Sequence, residues 1–283
     1  MPPPGPTGLE HLPEPSALHA SLSARRPLDW GDALPTKEDI AAKFGQEAAT
    51  RSLTLLARAA DAEPRVTADL VSSVSSGVVP YQLENRIKSP QSLARKLDDR
   101  EGTRFATQPV EDLLRYTFVT PEPDDLVRAA KDACDTLLAK GWTMDSAHHS
   151  YVNGSRYKGL HLFLRGHGEL VELQIHSRES INVKTRTTPL YVIERDRKMD
   201  RASRDAARET CIALSDQMTQ PAGLDDLKTL GGVAVGTRSY GMRSPRSKGR
   251  PETDPPSLGE PSPTQQATAQ RRSNATDKKG NSK

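Results

Sequence analysis

An α/β fold is what this sequence predicts, and three observations predict it. Residues 158–165 and 169–176 each alternate apolar and polar side chains around Gly166-His-Gly168, the pattern of a β-hairpin. An apolar, β-prone run over 113–120 is stopped by Pro121-Glu-Pro123 and followed by helical spacing over 124–140. The 22 prolines gather toward the two ends, where apolar periodicity is lost. The expected organisation is therefore a disordered Pro-rich stretch over 1–35, one folded domain over 36–220 and a disordered polar tail over 221–283.

The elements follow in order. Thr36-Lys-Glu-Asp39 reads as a capping box with Asp in place of Glu. Ala41, Ala42, Phe44, Leu53, Leu55 and Leu56 then recur at helical spacing, giving one or two helices to about 61. A further helix over 66–75 follows a break at Pro64. Residues 77–90 form a loop or short extended piece. Ser89-Pro90 caps a helix over 91–100, with Leu93 and Leu97 on its buried side. In the helix over 124–140, Leu126, Ala130, Ala133, Leu137 and Leu138 face inward and Gly141 ends it. Residues 142–152 are extended and the hairpin follows. Residues 178–218 are helical and charged, with Pro189 breaking or starting a helix.

Composition excludes several classes. Of 283 residues, 34% are hydrophobic and 4% aromatic, too few to fill a core over the whole length. No run of eighteen apolar residues exists, so no membrane partner is expected. The N-terminus lacks the basic-then-apolar pattern of a secretory signal. Cys134 and Cys211 lie far apart with no CxxC pair, which fits a reducing cytoplasmic setting. The net charge of +3 balances 40 basic against 37 acidic residues and argues against general nucleic-acid binding. Locally, Arg86, Lys88, Arg95, Lys96, Arg100 and Arg104 cluster, as an anion site or a solvated helix face would.

The hairpin carries the candidate chemistry. Alternation turns Val171, Leu173 and Ile175 one way and Glu172, Gln174 and His176 the other, with His161 on the partner strand. If helices cover only the leucine face, the polar face is an open platform. Asp112, at the start of the preceding strand, can join it there. Asp112 and Glu172 would then share a Mg²⁺ through oxygen ligands. The alternative is an ordinary polar sheet surface. Five histidines lie between His148 and His176, but no CxxC or HExxH spacing supports zinc. No phosphate loop with a Lys-Ser/Thr pair and no Gly-x-Ser-x-Gly elbow is present.

Four segments carry motifs. Arg86-Ile-Lys88-Ser-Pro-Gln-Ser92-Leu-Ala-Arg-Lys96 resembles R-[IV]-K-x-x-x-S-[IL]-x-x-K. Asp112-Leu-Leu-Arg-Tyr-Thr-Phe118 resembles a weaker D-[IL]-x-G-x-R-[IV]. Tyr157-Lys158-Gly159-Leu160-His161-Leu162 resembles Y-R-S-L-H-L. Val171-Glu172-Leu173-Gln174-Ile175-His176-Ser177 resembles V-E-I-Q-I-R-T. In this order the four resemble the motifs of RelA/SpoT-type synthetases, and the resemblance spans about residues 80–195. It implies a nucleotidyltransferase-like α/β domain with a mixed sheet flanked by helices. It also implies transfer of the β,γ-pyrophosphate of ATP to the 3′-hydroxyl of GDP or GTP, giving (p)ppGpp.

By that resemblance Arg86, Lys88, Ser92, Lys96 and Arg115 bind ATP. Asp112 and Glu172 are the catalytic carboxylates and hold the Mg²⁺ cofactor. Tyr157 stacks on the acceptor base, and Lys158, His161, Gln174 and His176 line its pocket. The sequence also departs from the pattern: Arg115 and Thr117 stand where the family has Gly and Arg, His176 replaces an Arg, and Lys158 replaces another. Lys184 and Arg186 offer further phosphate contacts or a charged helix surface. Two other readings stay open: an inactive nucleotide-binding or interaction domain, and a toxin-type transferase acting on adenosine nucleotides or the tRNA 3′ end. For tRNA, Arg195, Arg197, Lys198, Arg201 and Arg204 would supply the basic surface. Homo-oligomerisation is left open.

Overall fold

The computed structural model describes residues 8–196 and 198–241. Their helices are α1 (Pro15–Ser23), α2 (Lys37–Phe44), α3 (Gln46–Ser72), α4 (Pro90–Arg100), α5 (Leu126–Ala139), α6 (Arg178–Arg195) and α7 (Arg201–Asp216). The strands are β1 (Val79–Tyr81), β2 (Leu114–Thr120), β3 (Thr143–His149), β4 (Leu160–Gly166), β5 (Glu169–Ser177), β6 (Thr229–Leu230) and β7 (Val233–Thr237). The chain divides into two compact units, one of residues up to Asp61 with Ile87–Gln108, the other of Ala62–Arg86 with residues from Pro109 onward.

In the first unit the capping box forms as read: Thr36 accepts from the Asp39 amide and Asp39 from the Thr36 amide. Ser89 likewise caps α4 through the Ser92 amide at 3.3 Å, and Leu93 and Leu97 are buried. The expectation of disorder over 1–35 is corrected from residue 8 onward; residues 1–7 lie outside the described ones. Here α1 forms, and Leu9, Leu12, Leu18, Leu22, Leu28 and Trp30 are buried. The Trp30 indole donates to the Ile87 carbonyl at 3.0 Å. A Pro-rich average conceals six well-placed apolar side chains, and Pro15 sits in the first turn of α1, where a missing N–H costs nothing.

Pro64 does not break the chain as expected, because α3 runs through it. The buried stripe Leu53, Leu56, Ala59, Ala62, Val66, Leu70 keeps helical spacing across that point, and its burial outweighs one lost backbone hydrogen bond. Pro189 likewise lies inside α6.

The second unit holds a seven-stranded mixed sheet in the order β1-β2-β5-β4-β3-β7-β6. The pairs β2/β5 and β3/β7 are parallel and the others antiparallel. His167 and Gly168, both with positive φ, make the two-residue turn between β4 and β5. Leu114, Tyr116, Phe118, Leu160, Leu162, Leu164, Val171, Leu173 and Ile175 bury one face, and α5 packs on β3 and β5 with Leu126, Ala130, Ala133 and Leu137 buried. The expected disorder over 221–283 is corrected as far as residue 241, since β6 and β7 form there around Gly231-Gly232, both at positive φ; residues 242–283 lie outside the described ones. Alternation across Val233, Ala234 and Val235 was too short to stand out from its polar surroundings. No described helix is long and apolar enough to cross a membrane.

Candidate functional site

Register sets the candidate site. Arg115 of β2 lies beside Glu172 of β5, and Thr117 beside Gln174. Across the hairpin, Phe163 pairs with Glu172 and His161 with Gln174, while His148 of β3 pairs with His161. Directly paired residues share a face, so these side chains form one continuous row. The open platform expected for this face is corrected: Glu172, Gln174, His161 and His176 are as buried as the leucines behind them. The cause is α6, which packs on β5 and β2. Its Ser180 hydroxyl meets His176 Nδ1 at 2.8 Å.

Glu172 is 0% exposed. Its Oε1 accepts from His161 Nδ1 at 2.9 Å and from Gln174 Nε2 at 2.9 Å. Its Oε2 is buried with no hydrogen-bond partner, and so is His161 Nε2. Burial pushes the Glu172 pKa up, but the His161 hydrogen bond and the charges of His161 and Arg115 outweigh it and hold the carboxyl below its usual value. Asp112, also buried, is close enough that its charge opposes them. A buried carboxylate pair with one oxygen unmatched suits a hard cation such as Mg²⁺, which commonly takes one or two protein carboxylates and completes its shell with water and phosphate. Among the described residues no group of three or more His, Cys, Asp or Glu side chains is arranged to hold a metal.

A second group adjoins the first. The Tyr157 hydroxyl meets His176 Nε2 at 2.7 Å. Burial, Lys184, His161 and Arg115 depress the His176 pKa well below the usual value, leaving a neutral ring. Gly159 permits this pairing: a Cβ there would stand 2.7 Å from His176 Cε1 and 3.2 Å from the Tyr157 hydroxyl. Lys184 of α6 is pushed down to about 7 by burial and by Arg115, against the pull of Glu172. His148 stacks on His161 with ring centres 4.9 Å apart, and burial first, then the nearby His161, Arg238 and His149, lower its pKa to about 2.

The structure brings together Asp112, Arg115, Glu172, Gln174, His176, His161 and Tyr157. Arg86 and Lys158 are engaged with other partners. Arg86, assigned to ATP, is 0% exposed and forms a buried ion pair with Glu63, while its Nη1 donates to the Leu83 carbonyl at 3.1 Å. Glu63 also accepts from Thr67, whose hydroxyl meets Tyr116 Oη at 2.7 Å. That network fixes α3 to β2 and explains the burial of an arginine. Lys158, assigned to the acceptor, pairs with Asp216 of α7 at 3.2 Å. Lys88, Ser92 and Lys96 belong to the first unit, half-buried on α4 and just before it. Tyr157, expected to offer an open stacking face, is 5% exposed, its ring lying against His161, His176 and Tyr240.

Sequence reasoning missed Tyr240 and the part played by His148 and Ser180. Tyr240 had a signal: it is the only aromatic residue after Tyr191, and it follows the Gly-Gly turn and the short alternation of β7.

No protein-family profile matches the sequence, and no curated protein matches it. Solved structures do. The chain is similar to small alarmone synthetase 1 from Bacillus subtilis at 16% identity, over 58% of this chain and 91% of that one, with a TM-score of 0.39. The same enzyme bound to its product pppGpp matches at 14% identity over 64% and 92%, with a TM-score of 0.34. A GTP pyrophosphokinase family protein from Streptococcus pneumoniae matches at 16% over 67% and 93%, also with a TM-score of 0.34.

Proposed function

We propose that this protein is a divergent RelA/SpoT-type pyrophosphotransferase that moves the β,γ-pyrophosphate of ATP to the 3′-hydroxyl of GDP or GTP. Four motifs in the family's order support the reading. The observation that carries it is Glu172 Oε2, an unmatched carboxylate oxygen in a buried site beside Asp112 and Arg115. In the proposed step the 3′ oxygen bonds to the β-phosphorus of ATP. The bond from that phosphorus to the bridging oxygen of the α-phosphate breaks, and AMP leaves with the electron pair. Glu172, kept ionised, takes the hydroxyl proton at Oε2. A carboxylate oxygen has two lone pairs, so the same atom can also face a cation. A Mg²⁺ held by Asp112 and Glu172 would neutralise phosphate charge as it develops. His161 and Gln174 fix the Glu172 rotamer through Oε1. Arg115 and Lys184 set positive charge on the same side for the phosphates. A cytoplasmic setting is part of the same proposal.

The burial of Tyr157 favours a second reading, an inactive domain that binds nucleotide without turning it over. One experiment separates the two. The purified protein is incubated with γ-labelled ATP, Mg²⁺ and, separately, GDP, GTP, AMP, ADP and deacylated tRNA. Label on GDP or GTP is expected. Label on an adenosine nucleotide or tRNA assigns the toxin-type reaction instead, and label on none of them leaves the inactive domain.

A further inference from the structure

Tyr240 lies in a stretch that composition marks as tail, yet it is 3% exposed. Its ring packs edge-on to Tyr157 with centres 5.7 Å apart and lies 6.4 Å from His161. Its hydroxyl meets His148 Nε2 at 3.0 Å. Burial, partly opposed by Arg238, pushes its pKa up, and the Glu172 charge adds to the rise, so the phenol lies within the field of the catalytic carboxylate. The backbone holds it there: its amide donates to Ser155 Oγ at 3.2 Å, and its carbonyl accepts from the Arg156 amide at 2.6 Å.

The strand that leads to Tyr240 is held far less firmly. β7 pairs with β3 at only three positions, Ala147 with Val235, His148 with Gly236 and His149 with Thr237. Every β7 residue is half-buried or exposed. The Gly231-Gly232 turn lies before the strand and Gly241, at φ 120°, just after Tyr240. The ribbon is thus a light strand pinned at its far end by the Tyr240 ring and that residue's two backbone hydrogen bonds. Behind that ring lie Tyr157, whose faces are all taken, and two buried polar atoms, Glu172 Oε2 and His161 Nε2, that lack partners.

We propose that residues 233–241 form a strap that gates the acceptor side of the site, with Tyr240 as its plug. This rests on the transferase reading for the identity of the acceptor, but not for the opening itself. In the closed state described here a purine cannot reach the Tyr157 ring. When β7 peels from β3, Tyr240 withdraws and leaves a slot lined by Tyr157, His148 and His161. That slot fits the flat base of a nucleotide.

Two measurements test this. In the wild-type protein, amide exchange at Arg238, which bonds to the carbonyl of His149 on β3, is expected to be at least tenfold faster than in β4 and β5, through local opening. Exchange of this amide only with global unfolding overturns the strap. In Tyr240→Ala, with folding checked by circular dichroism, diethyl pyrocarbonate is expected to modify His161 at least tenfold faster than in the wild type, and labelled GDP to bind several-fold more tightly in equilibrium dialysis. Tyr240→Phe keeps the plug and should behave as wild type in the histidine assay. Unchanged His161 reactivity in Tyr240→Ala overturns the proposal. So does loss of GDP binding confined to that variant, which would make Tyr240 a wall of the pocket. Faster exchange and modification with no nucleotide bound by any variant leave the strap standing and remove the transferase reading.

Discussion

Two buried carboxylates in the sheet unit behave in opposite ways. Glu63, on the side of Tyr116, has its charge met by the Arg86 guanidinium and its Oε1 shared with the Thr67 hydroxyl. Glu172, on the other side of the sheet, has one oxygen doubly bonded and the other unmatched. Glu194 also leaves one oxygen bare, but two guanidiniums, Arg156 and Arg208, serve the other. Leaving a buried acceptor unpaired costs about 1–3 kcal/mol, and more for a charged group. A fold that completes one network and leaves the other open retains that cost at Glu172, where a ligand would recover it. The difference teaches how to sort buried charge: a completed network holds elements together, and an incomplete one marks a site.

Four predictions bear on that sorting. The largest effect is expected from Glu172→Gln, which keeps shape but removes the charge at the open position. Pyrophosphate transfer should fall about 1,000-fold, with thermal unfolding little changed. Retained activity would remove Glu172 from the chemistry.

Arg86→Ala should act on stability, costing about 3–5 kcal/mol in a urea titration because Glu63 is left buried and unpaired. A variant as stable as wild type but weak for ATP would return Arg86 to the substrate. Gly159→Ala tests the close approach on the polar face. The added methyl meets the His176 ring, and a loss of about 1–3 kcal/mol is expected, with a changed His176 signal in nuclear magnetic resonance.

The smallest effect concerns a further carboxylate, Asp69, met by Trp142 Nε1 at 3.0 Å, His167 Nε2 at 2.7 Å and Lys140 Nζ at 3.1 Å. Burial pushes its pKa up, yet these three partners lower it to about 2. The folded value is the depressed one, so its stabilisation is complete above the unfolded value near 4 and fades as pH falls toward 2. Wild type should exceed Asp69→Asn by about 1–2 kcal/mol at pH 6, and the gap should close by pH 2 in acid-dependent melts.

Much of this was legible in the residues. The hairpin, the Thr36 and Ser89 caps and the sorting of β5 into two faces follow from period and capping chemistry, which are local. The assembly of Glu172, His161 and Gln174 followed from the same alternation. What could not be read was coverage. Nothing in the spacing of β5 says that α6 lies over its polar side, because α6 mixes its apolar and charged residues around the helix. Arg86 looked like a phosphate ligand because its carboxylate partner, Glu63, is 23 residues away on another element. Tyr240 was lost in a tail whose average composition hides a single anchoring ring.

The margins of the sheet carry a consequence of their own. β1 has three residues with Pro80 among them, and β6 has two. A proline offers no amide to an incoming strand, and two or three residues are too few to template one. Among the described residues these two margins therefore offer an incoming strand little to pair with, which blunts edge-to-edge stacking there.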